Sequence, residues 1–105
     1  MYLLNFLNLQ LAEQLFVAAG RYRIGRDLVG VKDGTNHTFW TPGHEKFTQI
    51  PPRAQPAVFY NGVRLAYLDD YVIAESGGIG TGFDTFIFVF APLSDDHLSA
   101  DYVVI

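Results

Sequence analysis

The side chains capable of chemistry in this chain are carboxylates, three histidines and a few hydroxyls, with no cysteine among them. Asp69-Asp70 and Asp95-Asp96 stand as adjacent pairs, and Asp84 and Asp101 lie near them in sequence. Paired acids can hold Ca²⁺, which takes about six to eight oxygen ligands, or act as general acid and base. Neither use has supporting spacing, and no D-x-D-x-D-G loop is present. Aspartate favours turns because its side chain bonds the backbone two residues on, and turn chemistry is the preferred reading of these pairs. His37, His44 and His97 form no His-x-His or His-x₃-His pair, so a zinc site would have to assemble entirely in space. Ser76, Ser94 and Ser99 lack the elbow of an activated nucleophile. The run Ser76-Gly77-Gly78-Ile79-Gly80-Thr81-Gly82 departs from G-x-G-x-x-G and precedes a strand rather than a helix, so it reads as a strand connection and not a phosphate cradle. The absence of cysteine excludes disulfides, iron–sulfur clusters and Cys-ligated zinc. We therefore expect no catalytic residue, no metal and no cofactor: the chain does not read as an enzyme.

One further option lies in the aromatic residues. Trp40, Tyr60, Tyr67, Tyr71 and Tyr102 on a β-framework could stack on sugar rings, as in a glycan-binding module that attaches to a host surface. Their ordinary place is the core of a sheet or an interface, and that reading is preferred. Exposure of several of them on one concave face would discriminate the two.

These side chains must be positioned by one small domain. The chain has 105 residues, half of them hydrophobic and 15% aromatic, enough to bury one core and too apolar for intrinsic disorder. The net charge of −4 argues against a nucleic-acid partner. Charge is uneven: Arg21, Arg23 and Arg26 give the first thirty residues a net of +1, and seven acids with no Lys or Arg run from Asp69 to the C-terminus. That asymmetry reads as a solvated acidic face or as charge-complementary packing between copies or onto a partner. No basic residue precedes the Leu-rich start, so a secretory signal is not expected. Asn5, Asn8, Gln10, Glu13 and Gln14 interrupt that run, so neither is a membrane span.

Residues 2–19 have helical periodicity, with Leu4, Leu7, Leu11, Leu15 and Ala18 on one stripe and Gly20 as C-cap. Leu3, Phe6 and Phe16 lie off the stripe. Such a helix covers its own sheet or docks on another subunit; the residues offered as interface are Leu3, Phe6, Phe16, Arg21, Arg23 and Arg26. Residues 1–26 are thus expected to be a helix and basic linker acting in assembly, and residues 27–105 an antiparallel β-domain. Within it, Val29–Val31 and Thr38–Thr41 are short β-prone runs around a turn at residues 33–36, and Phe47 anchors the start of a Pro-rich loop. Asn61-Gly62 between Ala57–Tyr60 and Val63–Ala66 is a strong hairpin signal, because a type I′ turn needs positive φ at both central positions. Tyr71–Ala74 follows. Phe83–Phe90 reads as the longest strand, central and covered on both faces because both alternate sets of side chains are apolar. His97–Ile105 closes the fold. The expected architecture is mainly β: a small antiparallel sandwich or partly open barrel with one N-terminal α-helix.

The ordered set Asp33-Gly34-Thr35-Asn36-His37-Thr38-Phe39, Val58-Phe59-Tyr60-Asn61-Gly62-Val63-Arg64-Leu65, Asp69-Asp70-Tyr71-Val72-Ile73, Phe88-Val89-Phe90-Ala91-Pro92-Leu93 and Asp95 through Asp101-Tyr102-Val103 resembles a short β-domain of bacteriophage virion structural proteins, of tail-fibre, tail-associated, neck or capsid-decoration type. The resemblance spans roughly seventy residues within 31–105. It implies a non-catalytic, oligomeric module of the virion whose partners are other virion proteins and copies of itself, with no nucleic acid and no membrane, and it carries over no active-site residues. The chain's own Met1, its ending on a strand and its added Leu-rich segment lead us to expect a free-standing small virion protein rather than one repeat of a long fibre.

Overall fold

The computed structural model describes residues 22–47 and 56–104. The expected helix over 2–19, with Leu3, Phe6 and Phe16, lies outside the described residues, as does Arg21. The described chain is mainly β and folds as two antiparallel sheets. Its strands are β1 (Tyr22–Asp27), β2 (Thr38–Trp40), β3 (Ala57–Tyr60), β4 (Val63–Arg64), β5 (Tyr71–Ala74), β6 (Thr85–Phe88) and β7 (Leu98–Val103). One sheet has the order β1-β7-β3-β4 and the other β2-β6-β5.

Alternation in the strands decides which side chains meet between the sheets. Leu98, Ala100 and Tyr102 of β7 and Val58 of β3 are buried from one sheet; Phe39, Phe86, Phe88 and Tyr71 are buried from the other. Phe47 and Leu28 complete the cluster. Phe47 bridges to both Phe83 and Val104, and its ring stacks on Phe86 at 5.1 Å, so it pins the two sheets together; residues 48–55 of the Pro-rich loop it is expected to anchor lie outside the described residues. Phe39 also constrains its surroundings. Gly30 passes so close that a Cβ there would lie 2.4 Å from a ring carbon of Phe39. Gly30→Ala is expected to destabilise the fold by about 1–3 kcal/mol, the usual range for overpacking, measured by urea denaturation.

The hairpin forms at Asn61-Gly62, where φ is 50° and 84°, the two positive values a type I′ turn needs. Its second strand is shorter than expected, with only Val63 and Arg64 in the ladder. The stretch read as a basic linker is, from Tyr22 to Asp27, the edge strand of the first sheet. A bulge at Gly25 between Arg23 and Arg26 breaks its alternation.

Strand β6 is central, paired with β2 and β5. It differs from expectation in two respects. It is four residues long, against six for β1 and β7, because β2 offers only three residues to pair with and Phe83 turns to bridge Phe47. It is also less covered on one face than the other: Phe86 and Phe88 are buried, whereas on the opposite face Thr85 is buried but Ile87 is 37% exposed, and Val89 just beyond the strand is 66% exposed. That second face is open at Ile87 and Val72, while Thr85 on the same face is buried and His44 stacks on its neighbour Trp40.

Candidate functional site

Three places could carry function: a buried carboxylate with its donors, an open cleft, and the partly exposed outer face of the three-stranded sheet.

The carboxylate is Asp84, fully buried just before β6. Its Oδ2 accepts from Lys46 Nζ at 3.0 Å, from His44 Nδ1 at 2.9 Å and from the Ser76 hydroxyl. Its Oδ1 accepts from the Ser76 N–H and the Thr85 hydroxyl, both at 2.9 Å. Burial alone would push this carboxyl up; the donors of Ser76, Lys46 and Thr85 outweigh it and hold it far below the usual carboxylate range. The loop that delivers two of these donors is locked from within. Thr41 Oγ1 donates to Glu45 O at 2.7 Å, and Gly43 and His44 both have positive φ. His44 also stacks on Trp40, with ring centroids 5.4 Å apart.

Ser76, His44 and Asp84 are the residue types of a hydrolytic triad, but the wiring is different. Activation of a serine requires its hydroxyl on the histidine ring, with the carboxylate on the other ring nitrogen. Here the serine and the histidine both donate to the carboxylate, and Lys46 shares the same oxygen. The arrangement clamps the loop 41–46 and the Ser76 turn onto the sheet. Sequence reasoning missed it because His44 and Asp84 stand forty residues apart. The one available signal was an acidic residue directly before an apolar strand.

The other acids serve turns and edges. Asp70 accepts from Ala66 N at 2.7 Å, Asp96 from Leu93 N at 2.8 Å and Asp101 from Gly25 N at 2.7 Å. Asp33 accepts from the N–H groups of Thr35 and Asn36, both at 2.9 Å, and these bonds lower its pKa. Among the described residues no cluster of three His, Asp or Glu side chains could hold a metal. Of the residues offered as interface, Arg23 pairs with Glu45 at 2.9 Å, and Glu45 also accepts from the Tyr102 hydroxyl at 2.7 Å. Arg23 thus ties the edge strand to the loop after β2, while Arg26 is exposed on that strand.

The open cleft, about 570 Å³, lies between the hairpin and the segment after β6. Tyr60 and Phe90 meet edge-to-face in its lining at 4.6 Å. Asp96 accepts there from the Tyr60 hydroxyl at 2.5 Å and from Asn61 Nδ2 at 3.0 Å. The aromatic residues that could have formed a sugar platform are otherwise dispersed: Tyr71 and Tyr102 are core, Tyr67 packs on Tyr71, and Trp40 lies on the opposite side of its sheet from the core.

The third place follows from register. Opposite the buried set, the three-stranded sheet presents one row of Trp40, Thr85 and Ala74 and a second of Thr38, Ile87 and Val72. Val29 extends the first row beside Trp40. None of these positions is charged. The outer face of the four-stranded sheet differs: Asp27 and Ser99, Ala57 and Asp101, and Phe59 and Arg64 pair across it. An antiparallel sheet facing water normally alternates apolar with polar residues. One sheet of this molecule does so, and the other does not.

No family model, curated protein or solved structure matches the chain. Among the described residues no helix is long and apolar enough to cross a membrane.

Proposed function

We propose that this chain is a non-catalytic structural protein of a bacteriophage particle, a tail, neck, fibre-adaptor or capsid-decoration component, and that it acts by protein–protein assembly. In this reading the two sheets form a small sandwich, and its partners are other virion proteins and copies of itself. The observation that carries the assembly reading is the uncharged outer face of the three-stranded sheet, with Val72 41% and Ile87 37% exposed beside Trp40. Apolar surface left on one side of a sheet usually marks a contact. The phage assignment is supported by the ordered resemblance within residues 31–105. Residues 2–19 are the second contact element in this reading, with Leu3, Phe6 and Phe16 as the off-stripe residues. Mass spectrometry of purified particles from a phage encoding the chain, with lysine-independent footprinting of the assembled particle, tests the reading. The chain is expected in the particle with Trp40 and Val72 protected. Its absence from purified particles would overturn the proposal.

One feature favours a second reading, a glycan-binding module for host-surface attachment. The cleft beside Tyr60 and Phe90 pairs aromatic rings with the carboxylates of Asp70 and Asp96, as a sugar site does. Binding on a glycan array that Tyr60→Ala abolishes would favour this reading; a blank array would remove it.

A further inference from the structure

We infer that Asn61 is a self-modification site: the backbone nitrogen of Gly62 displaces its side-chain amide as ammonia, and the contacts of Asn61 with Asp96 and His97 hold this reaction back while the hairpin is closed. The reaction needs no partner, so it stands under either functional reading.

The chain has four asparagines, and only Asn61 precedes a glycine. Asparagine is thermally labile because the next backbone nitrogen can attack its side chain. A glycine leaves that nitrogen uncrowded, since no Cβ stands beside it. The space around Gly62 is open, with nothing within 4 Å of where a Cβ would stand. Among the described residues none accepts from the Gly62 N–H. In the first step a bond forms between Gly62 N and Asn61 Cγ, and the Cγ–Nδ2 bond breaks. The Gly62 amide proton leaves with Nδ2 as ammonia, and a cyclic imide remains. Water then opens the ring. Attack at the former side-chain carbonyl gives aspartate; attack at the main-chain carbonyl gives isoaspartate, in which the backbone runs through the side chain. No electrons are gained or lost, and the co-reactant is water, which reaches the exposed Asn61.

The fold opposes the first step. Asn61 Nδ2 donates to Asp96 Oδ1 at 3.0 Å, and Asn61 Oδ1 accepts from His97 N at 2.7 Å, so the amide is tied at both ends. The Asn61 N–H donates to His97 O at 2.8 Å, which fixes the backbone as well. Cγ therefore cannot swing onto Gly62 N until the hairpin tip parts from the start of β7. The product reverses the balance. A carboxylate at position 61 removes the donor to Asp96 and sets a second negative charge beside it, in a chain whose net charge is already −4. Lys32 Nζ lies against the Asp96 main-chain oxygen at 2.6 Å and offsets part of that repulsion. Isoaspartate also lengthens the backbone within a two-residue turn, whose length sets the register of the hairpin. Either product loosens the wall that Tyr60, Asn61 and Asp96 give to the cleft. The change runs one way, and its rate is set by opening of the hairpin.

Peptide mass spectrometry tests this on the full chain held at mildly alkaline pH and body temperature, with Asn36 as internal reference. The Asn36 amide donates to the carbonyls of Val31 and Thr38 and accepts from the Thr38 N–H, and His37 rather than glycine follows it. Asn61 should convert and Asn36 should not. In a urea series, conversion of Asn61 should stay slow below the unfolding transition and rise about tenfold or more across it. Asp96→Ala should speed conversion without urea. Tyr60→Phe, which leaves the contacts of the Asn61 amide in place, should match wild type. Asn61→Asp, the aspartate product made directly, should unfold at a lower urea concentration than wild type. An unmodified Asn61 in the unfolded chain, or a rate that stays flat through the transition, would overturn the inference. So would a folded Asp96→Ala chain that converts no faster than wild type, or an Asn61→Asp chain as stable as wild type. Should circular dichroism show Asp96→Ala unfolded, the urea series on wild type decides alone.

Discussion

Phe88→Ala is expected to remove about 3–5 kcal/mol of stability, measured by urea denaturation of the full chain. The ring is 2% exposed in the middle of the core. Its centroid lies 5.3 Å from Phe90, 5.8 Å from Phe39 and 6.1 Å from Tyr71, so truncation leaves a cavity walled by other rings. Those rings come from β2, β5 and the segment after β6, and cannot all close on the gap at once. A domain of this size has a total stability of about 5–15 kcal/mol, so the variant should be partly unfolded near physiological temperature. The adjacent Val89 supplies the control. It is 66% exposed, and Val89→Ala should change stability by no more than about 0.5 kcal/mol. Equal losses at the two positions would show that Val89 is covered as Phe88 is, and a larger loss at Val89 that the two faces had been assigned the wrong way round.

That contrast also marks where sequence reasoning stops. Phe86, Ile87, Phe88 and Val89 alternate two apolar sets, and the pattern alone cannot say which set is covered. The register with β2 and β5 answers it, because Phe39 pairs with Phe86 and Tyr71 with Phe88, side by side on the buried face of the same sheet. The Asn61-Gly62 hairpin, the strand Tyr71–Ala74 and the closing strand after His97 were legible because each depends on local chemistry: positive φ at two adjacent positions, or a short β-prone run between turn residues. Strand β1 was not. Tyr22-Arg23-Ile24-Gly25-Arg26-Asp27 lacks alternation, and only its partner β7 holds it extended; the bulge at Gly25 explains why the two arginines break the period. The acidic C-terminal half was visible as a charge imbalance, but its use was not. Asp70, Asp96 and Asp101 each hold a backbone N–H, so part of the imbalance is turn and edge chemistry.

Asp84→Asn is expected to destabilise the chain by about 3 kcal/mol at neutral pH, the low end of the cost of breaking a buried ion pair. The low end applies because Lys46 and His44 are themselves partly exposed and can turn to water once released. The cost arises from a mismatch of hydrogen-bonding types. Five donors converge on the Asp84 carboxylate, from Lys46, His44, Thr85 and both the hydroxyl and the N–H of Ser76. An amide offers one acceptor oxygen, and its NH₂ faces the remaining donors. Acid should reveal the same group. The Asp84 pKa is depressed in the folded chain, so its contribution is present at pH values above the unfolded carboxylate value of about 3.9 and is lost as pH falls below it. Below that value the unfolded chain binds a proton that folded Asp84 does not, and stability should fall by about 1.4 kcal/mol per pH unit from this residue. Asp33, Asp96 and Glu45 are shifted in the same direction and add to the slope. Asp84→Asn should retain their share and lose its own. The stability gap between wild type and variant, about 3 kcal/mol at pH 7, should therefore narrow steadily as denaturation curves are taken from pH 4 to pH 2.5. A gap that stayed constant over that range would mean that Asp84 is not the ionised centre of the clamp, and that Lys46 and His44 are held by some other group.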